Sequence, residues 1–446
     1  MSPSPPPYEV RCPIHGSIPF DERERHIIDH PLVQRLRHIS QLGFADRVYP
    51  GATHSRFSHS LGVMHLAGRV FDQVVQSGAE MGSGIFSQEA LDYLRRIVRL
   101  AGLLHDLGHP PFSHSFEALL PPRKDLPLPW NWYKDPHSDG KATHEDFSVA
   151  AIRAMAQEAP SLLSIEEAQD ICALIDGRIQ PSPSLAGVDE DHPSCYPLLR
   201  QIISGEIDAD RMDYLRRDAH FAGVTYGFFD LPRLIDSLSS TLRPEGLVMT
   251  LEHNALYTYE NFLMARFHMA MQVYFHKTLL PFEYFLKRAV EEGEITVPMD
   301  GSMEALLGAR ETFVFDQLYR ARDRKWSSRI IHRRPYSRLL QLSDLRDPPL
   351  LARIESVVAE LAGKGMEIIR IKEKRRLSTL GLREPEGTGP ILVQSVVLGR
   401  TRHQPLQEVS VLLERYNQTF TIEALYCDPK DYETCAQALE GVVPWA

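Results

Sequence analysis

The run Leu103-Leu104-His105-Asp106-Leu107-Gly108-His109 sets an imidazole and a carboxylate side by side at the end of an apolar stretch, where neither is stable unless something binds it. Arg56-Phe57-Ser58-His59-Ser60 offers a second histidine just ahead of another helical pattern. Asp208-Ala209-Asp210-Arg211-Met212-Asp213-Tyr214 puts carboxylates at the start of a third. His59, His105, Asp106 and Asp210 form a two-nitrogen, two-oxygen set. Such a set suits one divalent cation (Mn, Fe, Ni, Zn or Mg) and leaves positions open for water, for an anionic substrate and for an additional Mg arriving with it. An isolated His-Asp dipeptide reads more readily as a satisfied buried pair, so the weight rests on the wider context.

Most of the chain that must position these groups reads as helix. Residues 31–42, 62–76, 88–107, 144–159, 165–175, 208–221 and 254–291 carry apolar side chains at three-and-four spacing. Around Pro244-Glu245-Gly246 the pattern changes to a short β-hairpin, residues 239–252. After residue 348 a helix (350–361) and β-rich runs (366–371, 391–398, 419–426) read as a smaller C-terminal α+β lobe. The expected architecture is mostly α, with a core over residues 8–347 and the lobe over 348–446. Residues 121–136 are Pro-dense and hold Trp130, Trp132 and Tyr133, which fits either a lid or a mobile surface insertion.

With 446 residues and 43% apolar content, the chain is long enough for a large buried core. No run of about 18 apolar residues spans a bilayer, and the Pro-rich start lacks a signal-peptide pattern. A cytoplasmic protein with no membrane association is expected. Five scattered cysteines without a C-x-x-C pair suggest neither a disulfide framework nor a thiolate zinc site. The net charge of −10 argues against a surface built to coat nucleic acid. The basic run of residues 370–376 leaves nucleic-acid binding as a minor alternative to a solvated face.

His59, the His105-Asp106 doublet and Asp210, in this order, are the H…HD…D signature of the HD superfamily. Residues 34–43, 50–63, 101–114 and 208–218 closely resemble the SAM-and-HD-domain dNTP triphosphohydrolases and their bacterial relatives, within a likeness running over residues 13–277. The HD pattern begins so near the N-terminus that no SAM domain is expected. The resemblance implies an HD-domain helical core and a hydrolase cleaving dNTPs to deoxynucleoside and tripolyphosphate. It places His109, His114, His144 and Glu145 beside the α-phosphate, with His114 or His109 donating the proton and His144 and Glu145 orienting. Glu117 stands where the family carries aspartate.

For substrate, the resemblance implies that Gln41 and Leu42 contact the sugar 3′-oxygen and that Arg56 and Arg211 meet phosphate. Tyr214 and Asp218, which follow Asp210 at four-residue steps on one helix face, would shape the sugar pocket. Arg266, Ala270, Tyr274 and Lys277 share a stripe that otherwise reads as packing plus solvated charge, while the run Tyr274-Phe275-His276-Lys277 resembles the family's Tyr-x-His-Lys segment, which closes over base and sugar. Asp213 and Arg217, at i,i+4, read as a structural helix pair. Asp29, Gln34, Arg37 and Arg233 match a regulatory nucleotide site that takes GTP or dGTP and drives assembly, so an activator and a homo-oligomer (dimer or tetramer) are implied. Asp29-His30-Pro31 is equally a helix N-terminus signal. The alternatives are an HD hydrolase for another nucleotide (a monophosphate, a ribonucleotide or a signalling nucleotide) and a nonenzymatic nucleotide or nucleic-acid sensor.

Overall fold

The apolar stripes become helices facing one interior in the computed structural model, which describes residues 8–78, 86–113, 116, 119–136, 140–186, 193–342, 347–376, 390–416 and 419–443. The site-bearing helices are α1 (Glu22–Ile28), α2 (Pro31–Arg35), α3 (Arg56–Ser77), α4 (Gln88–Leu104), α5 (His144–Glu158), α6 (Ile165–Ile175), α7 (Tyr196–Ser204) and α8 (Ala209–Ala222). Their starts follow from sequence. Asp21 and Glu24, Thr143 and Asp146, and Ser164 and Glu167 form reciprocal capping boxes, and Asp208 accepts from the Arg211 amide at the head of α8. α3 runs through the middle of the body, burying Val63, Met64, Leu66, Ala67 and Val70 completely or nearly so.

Two helical expectations are corrected. Over 31–42 the helix stops at Arg35, a 3-10 turn takes Leu36–His38, and Ser40 then bridges Ser55 in antiparallel fashion. The Gln41 amide donates to the His54 carbonyl (3.0 Å) and the Arg56 amide to that of Ile39 (2.9 Å), so tertiary partners override the local helical pattern. The expected long helix of 254–291 is three pieces: α9 (Leu256–Met269), a π-turn over Ala270–Tyr274, and α10 (Leu279–Glu291). Pro281 has no amide to donate and its ring clashes with a helical carbonyl four residues back, at Lys277, so α10 must start afresh.

An N-terminal hairpin, β1 (Tyr8–Cys12) with β2 (Gly16–Phe20), precedes the helices; the sequence reading did not include it. The expected hairpin is present as β3 (Leu238–Arg243) and β4 (Gly246–Glu252). After α11 (Glu311–Arg320) come β5 (Ser337–Gln341), α12 (Pro348–Gly363), β6 (Ile368–Arg376), β7 (Leu392–Val397), β8 (Arg400–Pro405) and β9 (Thr419–Cys427). These build two sheets of order β3-β4-β7-β8 and β5-β9-β6. Strand pairing therefore crosses the 347/348 boundary in both directions, β7 joining the core hairpin and β5 joining the C-terminal strands.

The basic run lies on β6, where Arg370 is paired with Glu355 and Glu423 and Lys372 with Glu423. The Pro-dense segment is packed down: Trp132 and Tyr133 are buried, and the buried Arg123 guanidinium lies over the Trp130 and Tyr133 rings and donates to Asp146 (3.0 Å). All five cysteines are free. Among the described residues no helix is long and apolar enough to cross a membrane.

α3 and α8 approach so closely that a Cβ on Gly62 would lie 1.9 Å from Asp213 Oδ1 and 2.5 Å from Arg217 Nη2. Gly62→Val is expected to destabilise the protein by about 2–3 kcal/mol, since the buried ion pair cannot move aside. Gly363→Ala, where a Cβ meets nothing within 4 Å, should leave the thermal midpoint unchanged in the same calorimetric scan.

Candidate metal centre

The end of α4, the start of α3 and the first turn of α8 bring His105, Asp106, His59 and Asp210 together. His59 Nε2 lies 3.0 Å from Asp210 Oδ1 and 3.7 Å from Asp106 Oδ2. His105 Nε2 lies 3.3 Å from Asp106 Oδ1 and 3.6 Å from Asp210 Oδ1. The side chains of His59 and Asp106 are 1% and 5% exposed and that of Asp210 is 34% exposed, so the cluster opens on the Asp210 side.

Both histidines are held from behind. His59 Nδ1 meets Asp213 Oδ2 at 2.8 Å and His105 Nδ1 meets the Gly102 carbonyl at 2.9 Å. This fixes Nδ1 as the protonated nitrogen and turns each Nε2 lone pair inward. Among the described residues, neither buried Nε2 has a hydrogen-bond partner. Two inward lone pairs beside two carboxylates fit a divalent cation.

The electrostatics agree. Burial pushes His59 down, but the nearby carboxylates of Asp210 and Asp213 reverse this and hold it at about 10. Burial raises Asp106, yet Arg56, His105 and His109 hold it well below the usual carboxylate range. The cluster attracts positive charge, whether proton or metal.

Asp213 and Arg217 do form the expected pair (2.7 and 2.9 Å), but Asp213 also orients His59 and accepts from His15 Nε2 at 2.6 Å. His15 stands in the turn of the N-terminal hairpin, and Cys12 Sγ of β1 lies 3.4 Å from Arg217 Nη2. Sequence reasoning missed His15 and the second role of Asp213. The available signal was that Asp213 follows Asp210 by three residues and so faces the same way.

On the inner side, Arg56 Nη1 donates to Asp106 Oδ2 (2.5 Å) while Nε and Nη2 donate to Ser113 Oγ (3.0 and 2.8 Å). His109 Nε2 is 3.3 Å from Asp106 Oδ1, and its ring stacks on His144 at 3.9 Å between centroids. His144 Nε2 lies 3.4 Å from Glu145 Oε1. Burial, Arg56 and His144 all push His109 well below the usual histidine value, so it is neutral. His114 and Glu117 lie outside the described residues.

The remaining sequence candidates divide. Asp218, buried, accepts from His54 Nε2 and Tyr274 OH, each at 2.8 Å, and Tyr274 packs edge-on against Tyr214 at 6.3 Å. Gln41 Oε1 is buried without a hydrogen-bond partner among the described residues, and Leu42 packs on Ala45, Ala52 and Leu279. Arg211 is bound to Asp208 and the Gly205 carbonyl, and Arg266 to Glu206 at 3.3 Å. His276 meets the Tyr49 ring edge-on. Lys277 lines a separate cavity of about 1160 Å³ whose wall carries Arg324, Arg329, Arg333, Arg334 and Arg338. Asp29 and Arg37 line another, of about 440 Å³, with Tyr8, Glu9, Phe20 and Phe57. Gln34 accepts from Arg37 (2.7 Å), whereas Arg233 lies on the 231–236 helix and does not line that cavity.

His59→Ala or Asp106→Ala should abolish stoichiometric binding of Mn, read by elemental analysis of the dialysed protein, with far-UV circular dichroism retained. His15→Gln leaves all four ligands in place and should weaken Mn binding by about 10–100-fold, measured by calorimetric titration. Unchanged affinity would show that Asp213 orients His59 without help from the hairpin.

Comparison with known proteins agrees with this geometry. Residues 56–218 match the family model of the HD domain. The chain is similar to the protein MJ1154 of Methanocaldococcus jannaschii, 32% identical over 281 residues that cover 63% of this chain and 49% of that protein. It is similar also to human deoxynucleoside triphosphate triphosphohydrolase SAMHD1, 34% identical over 238 residues that cover 51% of this chain and 35% of that protein. It thus spans about half the length of the first relative and about a third of the second. The crystal structure of a hypothetical protein from Aquifex aeolicus superimposes with a TM-score of 0.73 at 27% identity, covering 97% of this chain and 99% of that one. The matched segment begins at Arg56, ends at Asp218 and contains all four metal-ligand candidates together with His109 and His144, so the chain carries an HD domain across these residues.

Proposed function

We propose that this protein hydrolyses dNTPs to deoxynucleoside and tripolyphosphate. One observation carries the reading: a cation cradle with two inward-facing Nε2 atoms lies directly against a buried arginine and a stacked histidine pair. A divalent cation held by His59, His105, Asp106 and Asp210 would supply charge neutralisation for a phosphate and a lowered pKa for water. Mn, Fe, Ni, Zn and Mg are all compatible with this donor set.

The chain's own residues supply the rest. Arg56, fixed by Asp106 and Ser113, presents a guanidinium for charge developing on phosphate oxygens. His109, stacked on His144, is the described histidine placed to hand a proton to a departing sugar oxygen, and an anionic phosphate beside it favours its protonated form. The unpartnered Gln41 Oε1 accepts a hydroxyl such as the sugar 3′-OH. Asp218, Tyr274 and Tyr214 form a linked wall that fits a compact sugar pocket. The cavity at Asp29 and Arg37 is the place where a GTP or dNTP activator would bind and promote a homo-oligomer.

A second reading has one observation in its favour. Arg211, which the resemblance brings to phosphate, is already committed to Asp208, which favours an HD hydrolase for a nucleotide with fewer phosphates.

Incubation of the Mn-loaded protein with each dNTP, NTP and dNMP, singly and mixed, with chromatography of the products and His105→Ala as control, separates the readings. Deoxynucleoside with intact tripolyphosphate is the expected outcome; turnover of monophosphates alone would replace it with the second reading. Arg56→Ala should lower kcat/KM by about 10²–10³-fold and His109→Ala by about 10²–10⁴-fold, with Mn content unchanged.

A further inference from the structure

Arg56 is held at both of its ends, and both holds lead to one carboxylate. Its backbone amide donates to Ile39 O in the short bridge that pairs Ser40 with Ser55. Its guanidinium donates twice to Ser113 Oγ. Glu311, at the start of α11, is buried, with 8% of its surface exposed. Its Oε1 accepts from the Ser40 amide (2.9 Å) and the Phe112 amide (3.2 Å), and its Oε2 from Ser40 Oγ (2.5 Å). One acceptor group therefore joins the segment before Arg56 to the segment that receives the Arg56 side chain.

The second segment needs holding. Phe112 and Ser113 are consecutive non-glycine residues in the left-handed region, at φ 57° and 51°. Such backbone persists only where its surroundings over-determine it. Arg35 supplies further restraint: its buried guanidinium donates to the carbonyls of Leu107 (3.2 Å), His109 (2.8 Å) and Ala309 (3.1 Å), tying the loop after the HD doublet to the chain just before Glu311.

We propose that Glu311 is a positioning residue, acting through Ser40 and the strained Phe112-Ser113 turn to hold Arg56 against the metal cradle. The part concerning turnover rests on the phosphohydrolase reading above; the part concerning the two segments does not.

The test uses the full Mn-loaded chain and the variants Glu311→Ala and Glu311→Gln, the latter keeping one acceptor oxygen. In hydrogen exchange, Glu311→Ala should speed the amides of Ser40 and Phe112 by about tenfold or more while α6 is unchanged, and Mn content should stay at the wild-type level. In dNTP turnover, Glu311→Ala should lose about 10–100-fold alone but less than about twofold in an Arg56→Ala background, because the two act through one group. Glu311→Gln should recover most of the loss. Unaltered exchange at either segment, or losses that simply multiply in the double variant, would overturn the proposal. If the wild-type chain turns over no dNTP, the functional reading fails, and the exchange result alone decides the clamp. Should Glu311→Ala fail to fold, Ser40→Ala, which removes only the hydroxyl donor, must show the same faster exchange at both segments.

Discussion

A single carboxylate with no exposed surface organises the centre of this molecule. Asp213 faces His59, His15 and a bidentate Arg217, so three separate stretches of chain converge on one buried negative charge. A charge in that position is tolerated only when its oxygens are fully used, and removing any partner exposes the cost of desolvation. The constraint propagates outward. α3 must carry glycine at 62 to let the ion pair in, the N-terminal hairpin must fold over α8 to deliver His15, and His59 must present Nε2 to the cradle because its other nitrogen is occupied.

Local elements were legible where a local cause sets them. The helix of 165–175 is found with the boundaries read from sequence, because Ser164 and Glu167 close a capping box and the apolar period is unbroken to Ile175. The hairpin at 239–252 follows from its Pro-Glu-Gly turn. The four metal-ligand candidates were legible as residue types in order, and the structure brings them together. What the sequence hid is long-range. Asp213 and Arg217 satisfy each other at i,i+4, and beyond the three-residue step from Asp210 nothing local signals that His15, 198 residues away, and His59, 154 residues away, share the same group. Glu311 meets Ser40 across 271 residues, and no periodicity records such a contact. The stretch 254–291 misled for the opposite reason: its apolar stripe continues while Pro281 breaks the hydrogen-bond ladder beneath it.

Arginine is used here in two ways. Arg35 and Arg123 are structural cations buried among carbonyls, rings and one carboxylate, where loss of the guanidinium would leave several acceptors unpaired. Arg211 and Arg266 are restrained by Asp208 and Glu206 at the more open end of α8, where an incoming anion would compete with those carboxylates for the same charge. Arg56 stands between the two kinds: buried like the first pair, yet bonded to a residue of the metal cradle.

That position makes Asp106 the joint between charge binding and proton handling. Its Oδ2 accepts from Arg56, while its Oδ1 lies 3.3 Å from both His105 Nε2 and His109 Nε2. His109 therefore feels the occupancy of the cradle through one carboxylate. With Arg56 and His144 beside it, and buried, it is held neutral, and a neutral imidazole can donate a hydrogen bond but has no surplus proton to give. Negative charge brought against Arg56 would shift that balance toward the imidazolium, so the group proposed to recognise the anion would also set the protonation state of its neighbour. Under the proposed function, recognition and proton donation would in this way be linked by electrostatics alone, without any movement of the backbone.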